Sequence, residues 1–166
     1  ALGAPHNQLA AVASHTGGSF LQAYRYGRSI CSAVPFPVTE ENIKIVFAVH
    51  MKAKLVKPVD SSATGTARGG LMRRFLDEFM GVQSGLATFK STYGTAPGDV
   101  LRGICDQQAS YGRLTELLDT CLQVNCFSET LLMRVLVLGI YGVHRAAPGA
   151  TSSVSNGDVE TAAAAA

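Results

Sequence analysis

Apolar residues recur at three- and four-residue intervals through the middle of this 166-residue chain, which is the spacing of amphipathic helices. One such apolar stripe, over residues 71–82, consists of Leu71, Phe75, Phe79 and Val82. Similar patterns predict helices over residues 20–31, from Asp99 onward, over 114–122 and over 129–145. The chain is therefore predicted to be mainly α, a compact bundle of about five to six helices.

Residues 43–56 carry a conflicting signal. Their apolar side chains alternate strictly from Ile43 to Leu55, which is the period of a β-strand. However, Thr39 followed by two glutamates is typical of a helix start, and the Ala, Met, Lys and Leu content favours a helix. We predict a helix here, with a strand at 43–56 as the alternative.

The segment 129–145 is apolar on every side, and Arg134 is its only charged residue after Glu129 and before His144. A helix of this kind is usually surrounded by others. The sequence thus predicts that this helix lies at the centre of the bundle.

Both ends of the chain have a different composition, rich in Ala, Gly and Ser. We predict an N-terminal arm at 1–19, a helical core domain at 20–147 and a C-terminal tail at 148–166, with both ends extended.

Composition adds a hint of assembly. Charged residues make up 16% of the chain, against about 25% in soluble domains on average. Residues 1–113 carry twelve Lys or Arg against seven Asp or Glu, although the whole chain has a net charge of only +2. Low charge suggests that other molecules cover part of the surface, and the basic first part would suit an acidic partner.

The chain shows no sign of a membrane or of secretion. Its longest apolar run, 135–143, is shorter than the roughly 20 residues that a membrane span requires. The N-terminus lacks the charged start and apolar block of a signal peptide. We therefore expect an intracellular protein, or one within a viral particle.

No motif for catalysis or for a cofactor is present. The four cysteines form no CxxC pair, no histidine has zinc-ligand spacing, and the glycine-rich stretch 61–70 matches neither GxxxxGK[ST] nor GxGxxG. Adjacent acids such as Asp77 and Glu78 diverge on a helix, so they do not form an acid–base pair. We predict a protein that is not an enzyme and holds no metal or cofactor.

Basic residues instead indicate a candidate nucleic-acid site. Two groups flank a loop near the middle of the chain, and a third segment, 24–28, interleaves arginines with Tyr24 and Tyr26, which could stack on bases. The candidate phosphate-binding residues are Arg25, Arg28, Lys52, Lys54, Lys57, Arg68, Arg73 and Arg74. The structural alternative is an ordinary solvated basic face.

These features favour a non-enzymatic assembly subunit, coat- or filament-like, whose arms contact copies of itself and whose basic patch contacts a nucleic-acid backbone. Two alternatives stay open: an intracellular helical adaptor that binds a partner helix, and an accessory subunit of a large complex.

Overall fold

The computed structural model describes residues 2–16, 18–56, 68–93 and 96–146, which form six helices and no strand. The helices are α1 (Gly3–His15), α2 (Ser19–Ile30), α3 (Thr39–Val56), α4 (Arg68–Tyr93), α5 (Pro97–Gln123) and α6 (Glu129–Ala146). The mainly α bundle predicted from the sequence is confirmed. The tail predicted at 148–166 lies outside the described residues.

Neighbouring helices pack in chain order, from α1 on α2 to α4 on α5, and α6 returns to contact α2 and α4. The core lies where α2, α3, α4 and α6 meet, and its buried aromatic residues include Tyr26, Phe47, Phe75, Phe79 and Tyr141. Phe20 and Phe127 extend this core through edge-on contacts with Phe79 and Phe75.

The N-terminal segment differs from the arm predicted for residues 1–19, because most of it is helix α1. The inward face of α1 consists of small residues at helical spacing: Gly3, Asn7, Ala10 and Ala13 are all buried. A face of small side chains brings two helices close together, whereas composition alone made the same residues resemble an arm.

A buried polar network fixes α1 to α2 and α3. Ser29 donates a hydrogen bond to the Gly3 carbonyl at 2.8 Å, and its hydroxyl lies 3.1 Å from that of Thr39. Thr39 also contacts the Asn7 amide oxygen at 3.2 Å, which accepts from Asn42 at 3.4 Å. Buried polar groups need such partners, so the four side chains together determine how the first three helices meet.

Helix α3 settles the ambiguity at 43–56 in favour of the predicted helix. Ile43, Val46 and Phe47, at helical spacing, are buried, whereas Ile45 and Val49 are 59% and 62% exposed. The alternation in the sequence therefore combines an inward and an outward apolar face.

Two long helices each replace shorter predicted ones. Helix α4 continues the 71–82 stripe to Tyr93, and α5 joins the helix predicted from Asp99 to the 114–122 stripe. Helix α5 ends as Asn125 adopts a left-handed backbone conformation, with φ of 51°, and the Cys126 amide bonds back to the Cys121 carbonyl.

Helix α6 is not at the centre of the bundle, which corrects the prediction made from its apolar sequence. Leu138 and Tyr141 are buried, but four apolar residues on the opposite side are more than half exposed: Met133, Leu136, Ile140 and Val143. An apolar sequence shows that a helix has surface available for packing, but not how much of that surface is covered. In the described chain, only one face of α6 packs against other helices.

Candidate nucleic-acid interface

Three arginines surround one tyrosine at the junction of α2 and α6. The guanidinium carbons of Arg25 and Arg134 lie 5.6 and 5.7 Å from the centre of the Tyr24 ring. Arg28 donates a hydrogen bond to the Tyr24 hydroxyl at 3.3 Å. We call these four residues the Tyr24 cluster. Its three guanidinium groups are held on one aromatic side chain, which orients them without neutralising them.

The arginines of the cluster come from helices that run parallel. Tyr24 faces Arg134, and one turn further along Gly27 faces Leu138. A Cβ atom on Gly27 would lie 3.6 Å from the Leu138 side chain, an ordinary contact distance, so α2 packs directly against that fully buried leucine. This close packing of α6 on α2 brings Arg134 to Tyr24.

The charge of the cluster is uncompensated within the described part of the chain. No carboxylate there lies within 4 Å of a guanidinium nitrogen of Arg25, Arg28 or Arg134. Burial lowers the pKa of the nearby His6 below its usual 6.5, and the charges of Arg28 and then Arg25 lower it further. The cluster is thus a local positive field, partly exposed, in a protein of small net charge.

Other cations are used within the fold. Glu78, whose side chain is 12% exposed, binds Lys54 at 2.8 Å and Arg113 at 3.1 Å, which ties α3, α4 and α5 together. Arg145 contacts Glu40 at 3.4 Å. Lys54 is therefore a structural partner of Glu78, in addition to any role in binding.

A second group of predicted residues lies at one end of the α3–α4 pair. The two helices run antiparallel, since Phe47 shares a cavity with Gln83 and Leu86 whereas Lys54 reaches Glu78. The end of α3 therefore lies beside the start of α4, and four cations there are exposed: Lys52, Arg68, Arg73 and Arg74. Lys57 lies outside the described residues. We call the four exposed cations Lys52, Arg68, Arg73 and Arg74 the α3–α4 end.

The sequence identified two of the three arginines in the Tyr24 cluster and missed Arg134. The sequence did contain a signal, since Arg134 is the one charged residue in the middle of an apolar helix. The reason for that charge becomes visible only from the packing of α6 on α2. Base stacking on Tyr26 is excluded, because this ring is 6% exposed and belongs to the core. Tyr24 is half-buried and has guanidinium groups beside its ring, so it positions arginines.

The described residues show no other obvious chemistry. None of their helices is long and apolar enough to cross a bilayer, and no three His, Cys, Asp or Glu side chains in them converge as metal ligands would. Burial and the neighbouring Cys126 raise the pKa of Cys121 to about 11, which leaves its thiol in the unreactive protonated form.

Comparison with known proteins gives one family and one relative. A family model described as "Est1 DNA/RNA binding domain" matches residues 1–163. The nonsense-mediated mRNA decay factor SMG7 of Arabidopsis thaliana is 39% identical over 74 residues, which cover 42% of this chain and 7% of that protein. The chain thus spans a small fraction of the length of the curated relative that it matches. No solved structure matches the chain.

Proposed function

Since the chain belongs to the Est1 DNA/RNA binding domain family, we propose that it is a nucleic-acid-binding helical domain that holds the phosphate backbone of a single strand on the Tyr24 cluster. The observation that carries the proposal is the set of three guanidinium groups on Tyr24 with no carboxylate in reach among the described residues. Each group offers N–H donors to phosphate oxygens.

Such a site recognises charge and spacing more than sequence. Each guanidinium offers only N–H donors, which phosphate oxygens accept whatever the base, and Tyr24 already holds these groups, so we expect contacts to phosphate to dominate. The exposed cations of the α3–α4 end would add further phosphate contacts to the same strand. We therefore expect affinity that falls steeply with salt and depends weakly on sequence.

The proposal replaces the coat- or filament-like subunit inferred from composition. The family description concerns nucleic-acid binding, and neither comparison supports a capsid, a filament or a viral particle. It agrees better with the alternative of an intracellular adaptor, since the relative is named as an mRNA decay factor. The family is not a known enzyme family.

The test is fluorescence anisotropy with a labelled single-stranded RNA over a series of salt concentrations. Replacing Arg134 by Ala should weaken binding and reduce the salt slope by about 0.7, the value for one phosphate contact on a single strand. Arg25→Ala and Arg28→Ala should act in the same direction, and the triple variant should show the largest loss.

The matched control is Arg102→Ala, which removes an exposed arginine from α5, a helix that packs on α4. The pair Arg73→Ala and Arg74→Ala measures the contribution of the α3–α4 end. If the triple variant keeps the affinity and salt slope of the wild type, the Tyr24 cluster is not the binding site.

A further inference from the structure

The turn between α5 and α6 is a Schellman motif, in which a helix ends on a residue with a left-handed backbone conformation. Asn125 is that residue, and it directly follows Val124, the C-cap of α5. The Cys126 amide donates to the Cys121 carbonyl at 2.9 Å, and the Asn125 amide donates to the Leu122 carbonyl at 3.1 Å. These two hydrogen bonds define the motif, and they fold Cys126 back onto the last turn of α5.

The motif brings together the side chains of Cys121 and Cys126, at two positions that are frequently both apolar. In this chain both positions hold cysteines, and both cysteines are free thiols. Burial, the charge of a Cys126 thiolate and a hydrogen bond to Cys126 raise the pKa of Cys121 to about 11, an interaction that requires neighbouring sulfur atoms. The backbone hydrogen bond between the two residues also keeps their Cα atoms roughly 6 Å or less apart, which is within the span of a disulfide.

The two thiols differ in how well a small molecule can reach them. Cys126 is half-buried, and its Sγ lies 3.7 Å from the Arg68 carbonyl oxygen at the start of α4. Cys121 is fully buried. An oxidant from solvent therefore meets Cys126 first, with Cys121 beside it. Cys105 lies sixteen residues before Cys121 on α5, roughly 24 Å away along the axis, so it does not compete as a partner.

We propose that Cys121 and Cys126 form a redox modification site, at which hydrogen peroxide converts the two thiols into a disulfide across the α5–α6 turn. The inference is independent of nucleic-acid binding. It assigns Cys126 as the thiol that is oxidised first and Cys121 as the thiol that resolves it.

The reaction has two steps. The Cys126 sulfur attacks one oxygen of hydrogen peroxide, the O–O bond breaks, and water leaves with the thiol proton, which gives a sulfenic acid on Cys126. The Cys121 sulfur then attacks the Cys126 sulfur, the S–O bond breaks, and the departing hydroxide takes the Cys121 proton as a second water. Two electrons pass from the two thiols to the peroxide.

The first step favours the second. Once Cys126 is a sulfenic acid, it no longer presents the thiolate charge that raises the pKa of Cys121. The attack also takes place between neighbouring side chains, so it needs no encounter with another molecule. The disulfide protects Cys126 from the irreversible sulfinic and sulfonic acids, and it fixes the turn from which α6 begins.

The experiment treats the folded chain with hydrogen peroxide, raised until the exposed Cys31 and Cys105 have reacted, and then labels the remaining thiols with N-ethylmaleimide. Trypsin cleaves after Arg113 and Arg134, so one peptide, 114–134, carries Cys121 and Cys126 and no other cysteine. Mass spectrometry should find this peptide lighter by two hydrogens than its reduced form and without maleimide. Dithiothreitol added before the label should restore two maleimide groups.

Two variants separate the roles of the thiols. Cys121→Ala removes the resolving thiol, so the sulfenic acid on Cys126 should accumulate and react with dimedone several-fold more than in the wild type. The matched control is Cys105→Ala, which removes an exposed thiol from the same helix and should still form the disulfide. Thermal melting checks the fold of both variants, since alanine keeps the small apolar character of a buried cysteine.

The inference is wrong if the wild-type peptide 114–134 retains both maleimide groups after Cys31 and Cys105 have been oxidised. It is also wrong if Cys126 is found in a disulfide with a cysteine other than Cys121, or if dimedone labels Cys126 equally in the wild type and in folded Cys121→Ala. Should Cys121→Ala fail to fold, the wild-type peptide decides the question alone.

Discussion

The polar network between α1, α2 and α3 can be tested by removing the Thr39 hydroxyl with Thr39→Val, which keeps the shape of the side chain. Thr39 is fully buried, and its hydroxyl lies 3.2 Å from the Asn7 amide oxygen and 3.1 Å from the Ser29 hydroxyl. Ser29 also donates to the Gly3 carbonyl.

The magnitude follows from counting protons. Ser29 and Thr39 have one hydroxyl proton each for three contacts, so two hydrogen bonds exist at any moment. Thr39→Val removes one hydroxyl proton and one acceptor. The Asn42 amide still donates to the Asn7 amide oxygen, and the Gly3 carbonyl still accepts from Ser29. The substitution removes one buried hydrogen bond but leaves no buried polar group without any partner. We expect it to lower the free energy of unfolding by about 1–2 kcal/mol.

Urea unfolding followed by circular dichroism measures this loss as a lower midpoint at unchanged slope. Thr115→Val is the control, because its hydroxyl donates to the Tyr111 carbonyl at an exposed position on α5, where substitution should change stability by less than about 0.5 kcal/mol. If both variants unfold at the same urea concentration, the network does not stabilise the fold.

Two further predictions concern α1 and α5. Gly3→Ala would place a Cβ atom 2.7 Å from the Phe36 nitrogen and 2.8 Å from the Ser29 carbonyl oxygen, both backbone atoms, and should cost about 1–3 kcal/mol in urea unfolding. Gly112→Ala meets nothing within 4 Å and should stabilise α5 by about 0.5–1 kcal/mol, so an equal effect of the two substitutions would contradict the packing of α1. Because the folded chain lowers the pKa of His6 below 6.5, the unfolded chain takes up the proton first, and stability falls as the pH drops through 6.5. His6→Gln should lose less stability than the wild type between about pH 7 and pH 5, with the exposed His15→Gln as control, and an identical pH dependence would refute the assignment.

The sequence predicted those helices whose apolar stripes are made of large side chains, such as the stripe from Leu71 to Val82. It missed α1, because a face of Gly, Asn and Ala buries little apolar area and resembles an arm in composition. It placed α6 at the centre, because composition does not show which faces of a helix find a neighbour.

The candidate site, like the fold, could be predicted from the sequence only in part. Arg25 and Arg28 stand out locally, beside Tyr24 on one helix. Arg134 joins them only through the return of α6, and Gln83 packs against Gly142 only because α6 also contacts α4. These juxtapositions depend on tertiary packing between distant segments, which periodicity and spacing do not encode.

The return of α6 also sets when the Tyr24 cluster is complete. Tyr24 and Arg134 are 110 residues apart in the chain, so their contact is among the most non-local in the fold. The intervening chain must fold back before this contact can form and stabilise the structure. During synthesis at about 5–20 residues per second, Arg134 is added roughly 6–20 s after Tyr24. A nascent chain that has folded only through α5 carries two of the three guanidinium groups, so the proposed site for an anionic strand would be complete only after the last helix has docked.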